Sequence, residues 1–121
     1  MIARLTRELE VLLGAGAVLA RTEDLVLYEY DGSVEKARPD VVVFPRTTEE
    51  VSRIVRLANR YNVPMVGRGA GTGLSGGSLA RSGGVMLVFA RMDRSLEVDY
   101  ENLRAVVQPG VVNFDLTRAV E

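Results

Sequence analysis

The sequence predicts an α+β fold in which a short βαβ unit is joined to a further group of strands. Three observations predict it. Two compact apolar runs, Val41-Val42-Val43-Phe44 and Pro64-Met65-Val66-Gly67-Arg68, flank a segment whose apolar residues recur at helical spacing. A third apolar run, Val85-Met86-Leu87-Val88-Phe89, and a hairpin pattern over residues 96–107 follow without a helix-length segment between them. Other helical spacing is confined to the two ends of the chain. Strand, helix and strand in tight succession imply a parallel pair with a right-handed crossover.

The elements follow in order. Ile2, Leu5, Leu9, Leu12 and Leu13 recur as one face of a short amphipathic helix over 3–13, which Gly14 and Gly16 end. Residues 21–40 are polar and read as irregular, with a turn at Asp31-Gly32. The Val41–Phe44 run is β-branched and closed by Pro45, so it reads as a buried strand. Thr47-Thr48-Glu49-Glu50 is a capping box, in which a threonine oxygen takes an orphan N–H and the glutamate three residues on reaches back. Val51, Ile54, Val55, Ala58 and Tyr61 then mark the buried face of a helix over about 48–61. Arg53, Arg56 and Arg60 on that helix read as a solvated face, with Glu49 and Arg53 paired at i,i+4.

Asn62-Val63-Pro64 is a turn into the second strand, and Val85–Phe89 reads as a third, buried strand. Leu96–Asp99 and Arg104–Val107 form a hairpin across Tyr100–Leu103. Pro109-Gly110 breaks the chain, and Phe114, Leu116, Ala119 and Val120 begin a helix of about two turns. That short helix and an open sheet edge give the expectation that the chain is the front part of something longer.

Composition limits the chemistry. The chain has 121 residues, which suits one small domain, and 47% hydrophobic residues, enough for a core. Its net charge of -1 gives no reason to expect nucleic acid or an anionic membrane as partner. There is no cysteine and no histidine, so thiolate chemistry, an imidazole base and a histidine–metal site are excluded within these residues. Such a chain binds something or takes its chemistry from a cofactor. The N-terminus carries charges too early for a secretory signal, and no apolar stretch approaches the roughly 20 residues of a membrane helix, so a cytoplasmic protein is expected.

One segment stands out. Gly67-Arg68-Gly69-Ala70-Gly71-Thr72-Gly73-Leu74-Ser75-Gly76-Gly77 opens at the end of the second strand. Backbone N–H groups converge on an anion when successive residues alternate in handedness, which glycine permits without Cβ strain. Absent side chains also let a pyrophosphate approach the backbone. Thr72, Ser75 and Ser78 add hydroxyl donors, and Arg68 supplies a countercharge or pairs with a nearby acid. The competing view is a mobile surface loop, but glycine at this density on a strand end favours function. Gly71–Gly76 matches G-x-G-x-x-G, with Asp93 about 20 residues on. A dinucleotide-binding Rossmann turn needs a helix to begin inside that motif. Here residues 77–84 are short and glycine-rich and lead straight into the next strand. No G-K-[ST] follows the glycines either, so a Walker A site is absent.

Four separated motifs agree in order and spacing: Pro39-Asp40-Val41-Val42-Val43-Phe44-Pro45, Thr48-Glu49-Glu50-Val51, Val63-Pro64-Met65-Val66 running into the glycine loop through Gly77, and Val107-Gln108-Pro109-Gly110-Val111. Together they resemble the N-terminal part of the FAD-linked oxidases of the vanillyl-alcohol oxidase superfamily, with a PCMH-type FAD-binding domain. Within it they are most similar to the glycolate oxidase D-subunit and D-lactate dehydrogenase branch. The resemblance covers residues 20–121. Residues 1–20 read as an N-terminal helical segment from their periodicity, and the resemblance implies an incomplete PCMH-type FAD-binding domain, its first half, at 21–121.

By the same resemblance Pro45 lies near the cofactor. Gly67, Arg68, Gly69, Ala70, Gly71, Thr72 and Gly73 wrap the FAD pyrophosphate. Gly76, Gly77 and Ser78 continue the wall toward the ribityl chain, and Pro109 and Gly110 pack against the flavin side. Some family members attach FAD through a histidine near the position of Thr72, so FAD here is expected to be non-covalent. The resemblance implies a flavin-dependent oxidoreductase acting on 2-hydroxy acids such as glycolate or D-lactate, with hydride passing to flavin N5. Further partners would be other oxidase subunits or an electron acceptor. Catalytic and metal-binding residues of such enzymes have no counterpart in this chain. The alternative is a non-catalytic truncated or stand-alone module that binds a nucleotide phosphate.

Overall fold

A computed structural model describes all of residues 1–121. Two β-sheets and four helices follow in the order α1 (Ile2–Leu13), β1 (Val18–Leu19), α2 (Thr22–Leu25), β2 (Val41–Val43), α3 (Thr48–Arg60), β3 (Met65–Arg68), β4 (Val85–Val88), β5 (Ser95–Asp99), β6 (Arg104–Val107) and α4 (Asn113–Ala119). β1–β4 form one sheet in the order β1-β2-β4-β3, with β1 antiparallel to β2 and the other neighbours parallel. β5 and β6 pair separately as an antiparallel hairpin, with an irregularity between Ser95 and Glu97. No helix is long and apolar enough to cross a membrane.

The expected parallel pair is split. β2 and β3 run parallel, but β4 lies between them and pairs with both. Burial explains the order. All four residues of β4 are buried, whereas β3 exposes Met65 and Gly67. The strand that is apolar on both faces takes the centre, and the half-polar one takes the edge.

Alternation along the strands sorts the core onto two faces. Val41, Val43, Val85 and Leu87 pack with Leu5, Leu9 and Leu13 of α1 and Ile54 of α3. Val42, Met86 and Val88 face the other way, against Leu25 and Ala80 with Tyr28, Phe44 and Val66 beside them. α1 is therefore integral to the first core, and the Tyr61 hydroxyl, just past α3, donates to the Glu8 carboxylate on α1. The α3 cap is half as expected: Thr47 Oγ1 accepts the Glu50 N–H at 3.1 Å, but Glu50 reaches the Arg46 N–H instead of returning to Thr47. Arg53 pairs with Glu49 at 2.7 Å on the solvated side. Residues 21–40 are more ordered than their polarity suggests, with α2, a 3-10 turn at Val26–Tyr28 and a bridge between Tyr30 and Lys36.

Candidate functional site

The three parallel strands end on the same side of the sheet. β2 leads into Phe44-Pro45, β3 into Gly69, and β4 into Phe89-Ala90. Ligands of open parallel sheets bind beyond such carboxyl ends. No helix forms between Gly69 and Gly84, so the Rossmann match is sequence coincidence.

The loop is open where an anion would need it. No backbone N–H from Gly69 to Ser78 donates a hydrogen bond to a carbonyl of the chain, and the Gly76 N–H turns instead toward the Asp31 carboxylate. Gly69, Ala70, Gly71, Thr72, Gly73, Gly77 and Ser78 line a cavity of about 430 Å³ together with Leu74 and Ser75. Its wall carries no acidic or basic side chain. Gly71 has φ +73°, which strains any L side chain, and a Cβ there would lie 2.1 Å from Arg68 Nη2, so the guanidinium would have to move aside. Arg68 folds under the loop with its guanidinium 5.6 Å from the Tyr28 ring centroid. Its Nη1 and the Ser78 Oγ are buried without a hydrogen-bond partner.

A second cavity of about 220 Å³ shares Gly69 and Ala70 with the first and adds Gly110, Val111 and Val112. Ala90, Asp93, Ser95 and Asp115 complete it. Gly110 is held there by its N–H to Met92 O at 2.8 Å. Thus the structure brings the glycine loop and Gly110 together around Gly69 and Ala70, although they are far apart in sequence. The other expected residues stand back from both cavities. Pro45 is fully buried, Gly67 lies on β3 beneath Phe89, Gly76 faces Asp31, and Pro109 is exposed beside Gly110.

Sequence reading missed the second cavity's polar residues. Asp93 drew notice only through the false Rossmann spacing, and Ser95 and Asp115 belong to no local motif. It also missed what supports the loop from outside. Gly32 N–H donates to Gly73 O at 2.8 Å, and Asp31 Oδ1 accepts the Ser33 N–H at 2.7 Å. The Asp31 carboxyl is held below the usual carboxylate range, first by the Ser33 hydroxyl and N–H and further by the Gly76 N–H.

Residues 39–121 match the FAD binding domain family. Over 97 residues, 79% of this chain, the sequence is 46% identical to glycolate oxidase subunit GlcD of Bacillus subtilis, of which the match spans 21%. It is 42% identical over 86 residues to D-lactate dehydrogenase of Anaerostipes hadrus, covering 71% of this chain and 18% of that protein. Among solved structures, 4-ethylphenol oxidase from Gulosibacter chungangensis superposes with a TM-score of 0.85 at 34% identity, over 98% of this chain and 24% of that one. The chain thus spans about a fifth of the length of the curated relatives it matches.

Proposed function

Since the chain belongs to the FAD binding domain family, we propose that residues 67–78 grip the pyrophosphate of a non-covalently held FAD, and that the protein carrying them oxidises 2-hydroxy acids. The observation that carries this reading is the row of backbone N–H groups, unbonded to any carbonyl, along a loop cavity with no charged wall; at Gly69 and Ala70 it adjoins the second cavity, which holds Gly110 and the carboxylates of Asp93 and Asp115.

The residues present fit such a ligand. Backbone N–H groups left without carbonyl partners along a cavity can stabilise phosphate oxygens without a lysine. Gly69, Gly71 and Gly73 leave the backbone bare, the Ser78 hydroxyl has no partner, and Arg68 places positive charge under the loop. Gly110 and its neighbours form the wall toward the isoalloxazine side. Pro45 and Pro109 act by shaping the backbone beside the site. Residues 21–121 make up the cofactor-binding part, while residues 1–20 supply the edge strand β1 and cover one face of the sheet with α1.

Bound FAD would supply the two-electron redox chemistry; these residues would bind and orient it. The substrate class rests on the relatives named for glycolate oxidase and D-lactate dehydrogenase. Other oxidase subunits or an electron acceptor are the further partners. Titrating the purified chain into FAD tests the cofactor. Flavin fluorescence should change with an affinity weaker than about micromolar, because a partial set of contacts must still overcome an association cost of several kcal/mol. No change at the highest chain concentration overturns the FAD assignment. Expression of the complete reading frame that contains these residues, assayed with glycolate and D-lactate against an artificial electron acceptor, tests the reaction. Failure with both acids overturns the substrate class alone.

A further inference from the structure

The glycine loop makes almost no internal hydrogen bonds. Leu79 N–H reaches Gly76 O, but between Gly69 and Ser78 a single backbone hydrogen bond ties the loop to another segment, from Gly32 N–H to Gly73 O at 2.8 Å. A run this rich in glycine has the largest conformational freedom to lose, so its order must come from outside.

The segment Tyr28–Ser33 meets the loop at three places. At the start, Arg68 lies against Gly71 and is faced by the Tyr28 ring, which itself packs edge-on against Phe44 at 6.0 Å. In the middle, Gly32 abuts the loop so closely that a Cβ would come 2.7 Å from Thr72 O and 3.0 Å from Gly73 O. Both are backbone atoms, which cannot swing away as a side chain would. At the end, the Asp31 carboxylate comes near the Gly76 N–H, which helps to hold its pKa down; the Ser33 N–H holds its Oδ1 at 2.7 Å, and its Oδ2 is buried without a hydrogen-bond partner. Hydrogen bonds to the charged form keep that carboxyl ionised.

We propose that Tyr28, Asp31 and Gly32 are positioning residues: they clamp the glycine loop from outside in the shape that turns its free N–H groups toward the ligand. A loop held this way before binding loses less entropy on binding, so the clamp sets affinity as well as order. The ligand half of this inference rests on the FAD reading, and the clamp half does not.

Backbone amide relaxation on the ligand-free chain, followed by FAD titration of the same samples, tests both halves. Gly32→Ala and Asp31→Ala are compared with Val34→Ala, a fully exposed neighbour in the same turn. The amides of Gly71, Gly73 and Gly76 should fall from the rigid order-parameter range of about 0.85 toward about 0.6 in the first two variants and stay rigid in the third. FAD affinity should drop at least about tenfold in the same two. If Gly32→Ala fails to fold, Tyr28→Leu serves, and it should loosen Gly71 while leaving Gly76 ordered. Unchanged loop order in the clamp variants overturns the inference, as does loosening spread evenly over the whole chain. A wild-type chain that ignores FAD, with its loop still loosened by the variants, overturns the FAD reading and leaves the clamp standing.

Discussion

Gly71→Ala and Gly69→Ala separate a loop that is merely folded from one that holds a phosphate. At Gly71 the added methyl meets two costs. The backbone sits at φ +73°, where an L side chain costs about 1–2 kcal/mol. The Cβ would also lie 2.1 Å from Arg68 Nη2, so the guanidinium must leave the Tyr28 ring and forfeit a cation–π contact of about 0.5–1 kcal/mol. Together these predict a destabilisation of about 1.5–3 kcal/mol, a fall in Tm of roughly 5–15 °C for a chain this size. Gly69 is the contrast. A Cβ there meets nothing within 4 Å, and its φ lies outside the left-handed range. Gly69→Ala should therefore melt at or slightly above the wild-type temperature, since alanine narrows the unfolded ensemble by about 0.4–1 kcal/mol. Yet Gly69 lines both cavities, so its new methyl stands in the space assigned to the pyrophosphate. Thermal scans and FAD titrations of the two variants should show weakened binding in both, by about tenfold or more, and lost stability only in Gly71→Ala. Wild-type FAD affinity in Gly69→Ala would refute the cradle, and a wild-type melting curve for Gly71→Ala would refute the account of Arg68.

The Asp31 carboxyl has a folded pKa below its ordinary value of about 3.9, so its contribution is complete above that pH and is lost as pH falls through the lower folded value. The stability gap between wild type and Asp31→Asn, followed by chemical denaturation, should hold from neutral pH to about 4 and close only below it. The Tyr61 hydroxyl has the opposite sense: its donation to Glu8 raises its pKa above 10.0, so its contribution holds below that pH and fades as pH climbs through the folded value. Tyr61→Phe should remove a phase above pH 10.0 from the phenolate absorbance titration and lower Tm at neutral pH. Ile54→Ala, at a fully buried site between α3 and the sheet, should cost about 2–5 kcal/mol by urea denaturation. Because the loop cavity has no charged wall, raising salt from about 50 to about 500 mM should weaken FAD binding by less than about threefold, and a steep salt slope would shift the grip to arginine.

Local patterning carried the elements that are long or strongly apolar. The α1 and α3 stripes, the β4 run and the β5–β6 hairpin all stand where periodicity places them. Two features were out of reach of that signal. β1 is two residues, Val18 and Leu19, and extends only because β2 offers a partner. The place of β4 between β2 and β3 is settled by which strand can be buried on both faces, a property of the finished sheet. A right-handed crossover from β2 to β3 is consistent with either order, so the connection rule could not choose.

The site divides along the same line. Glycine density made the loop visible from its local composition alone, and two of those glycines, Gly71 and Gly76, sit at positive φ in the folded chain. The clamp leaves a fainter mark. Asp31-Gly32-Ser33 is legible as a turn, and its aspartate does accept the Ser33 N–H as such turns do. But the reason for glycine at position 32 is not the turn: its φ is ordinary, and the demand for space comes from Thr72 and Gly73 across the fold. A local reading therefore explains Gly32 too early and stops. The same holds for Arg68, which reads as a countercharge for the phosphates and in the folded chain lies beneath Gly71, faced by Tyr28, with Nη1 buried and unpaired. A guanidinium that lies against Gly71 without lining the loop's cavity leaves that wall uncharged, yet keeps a positive charge next to the loop's backbone.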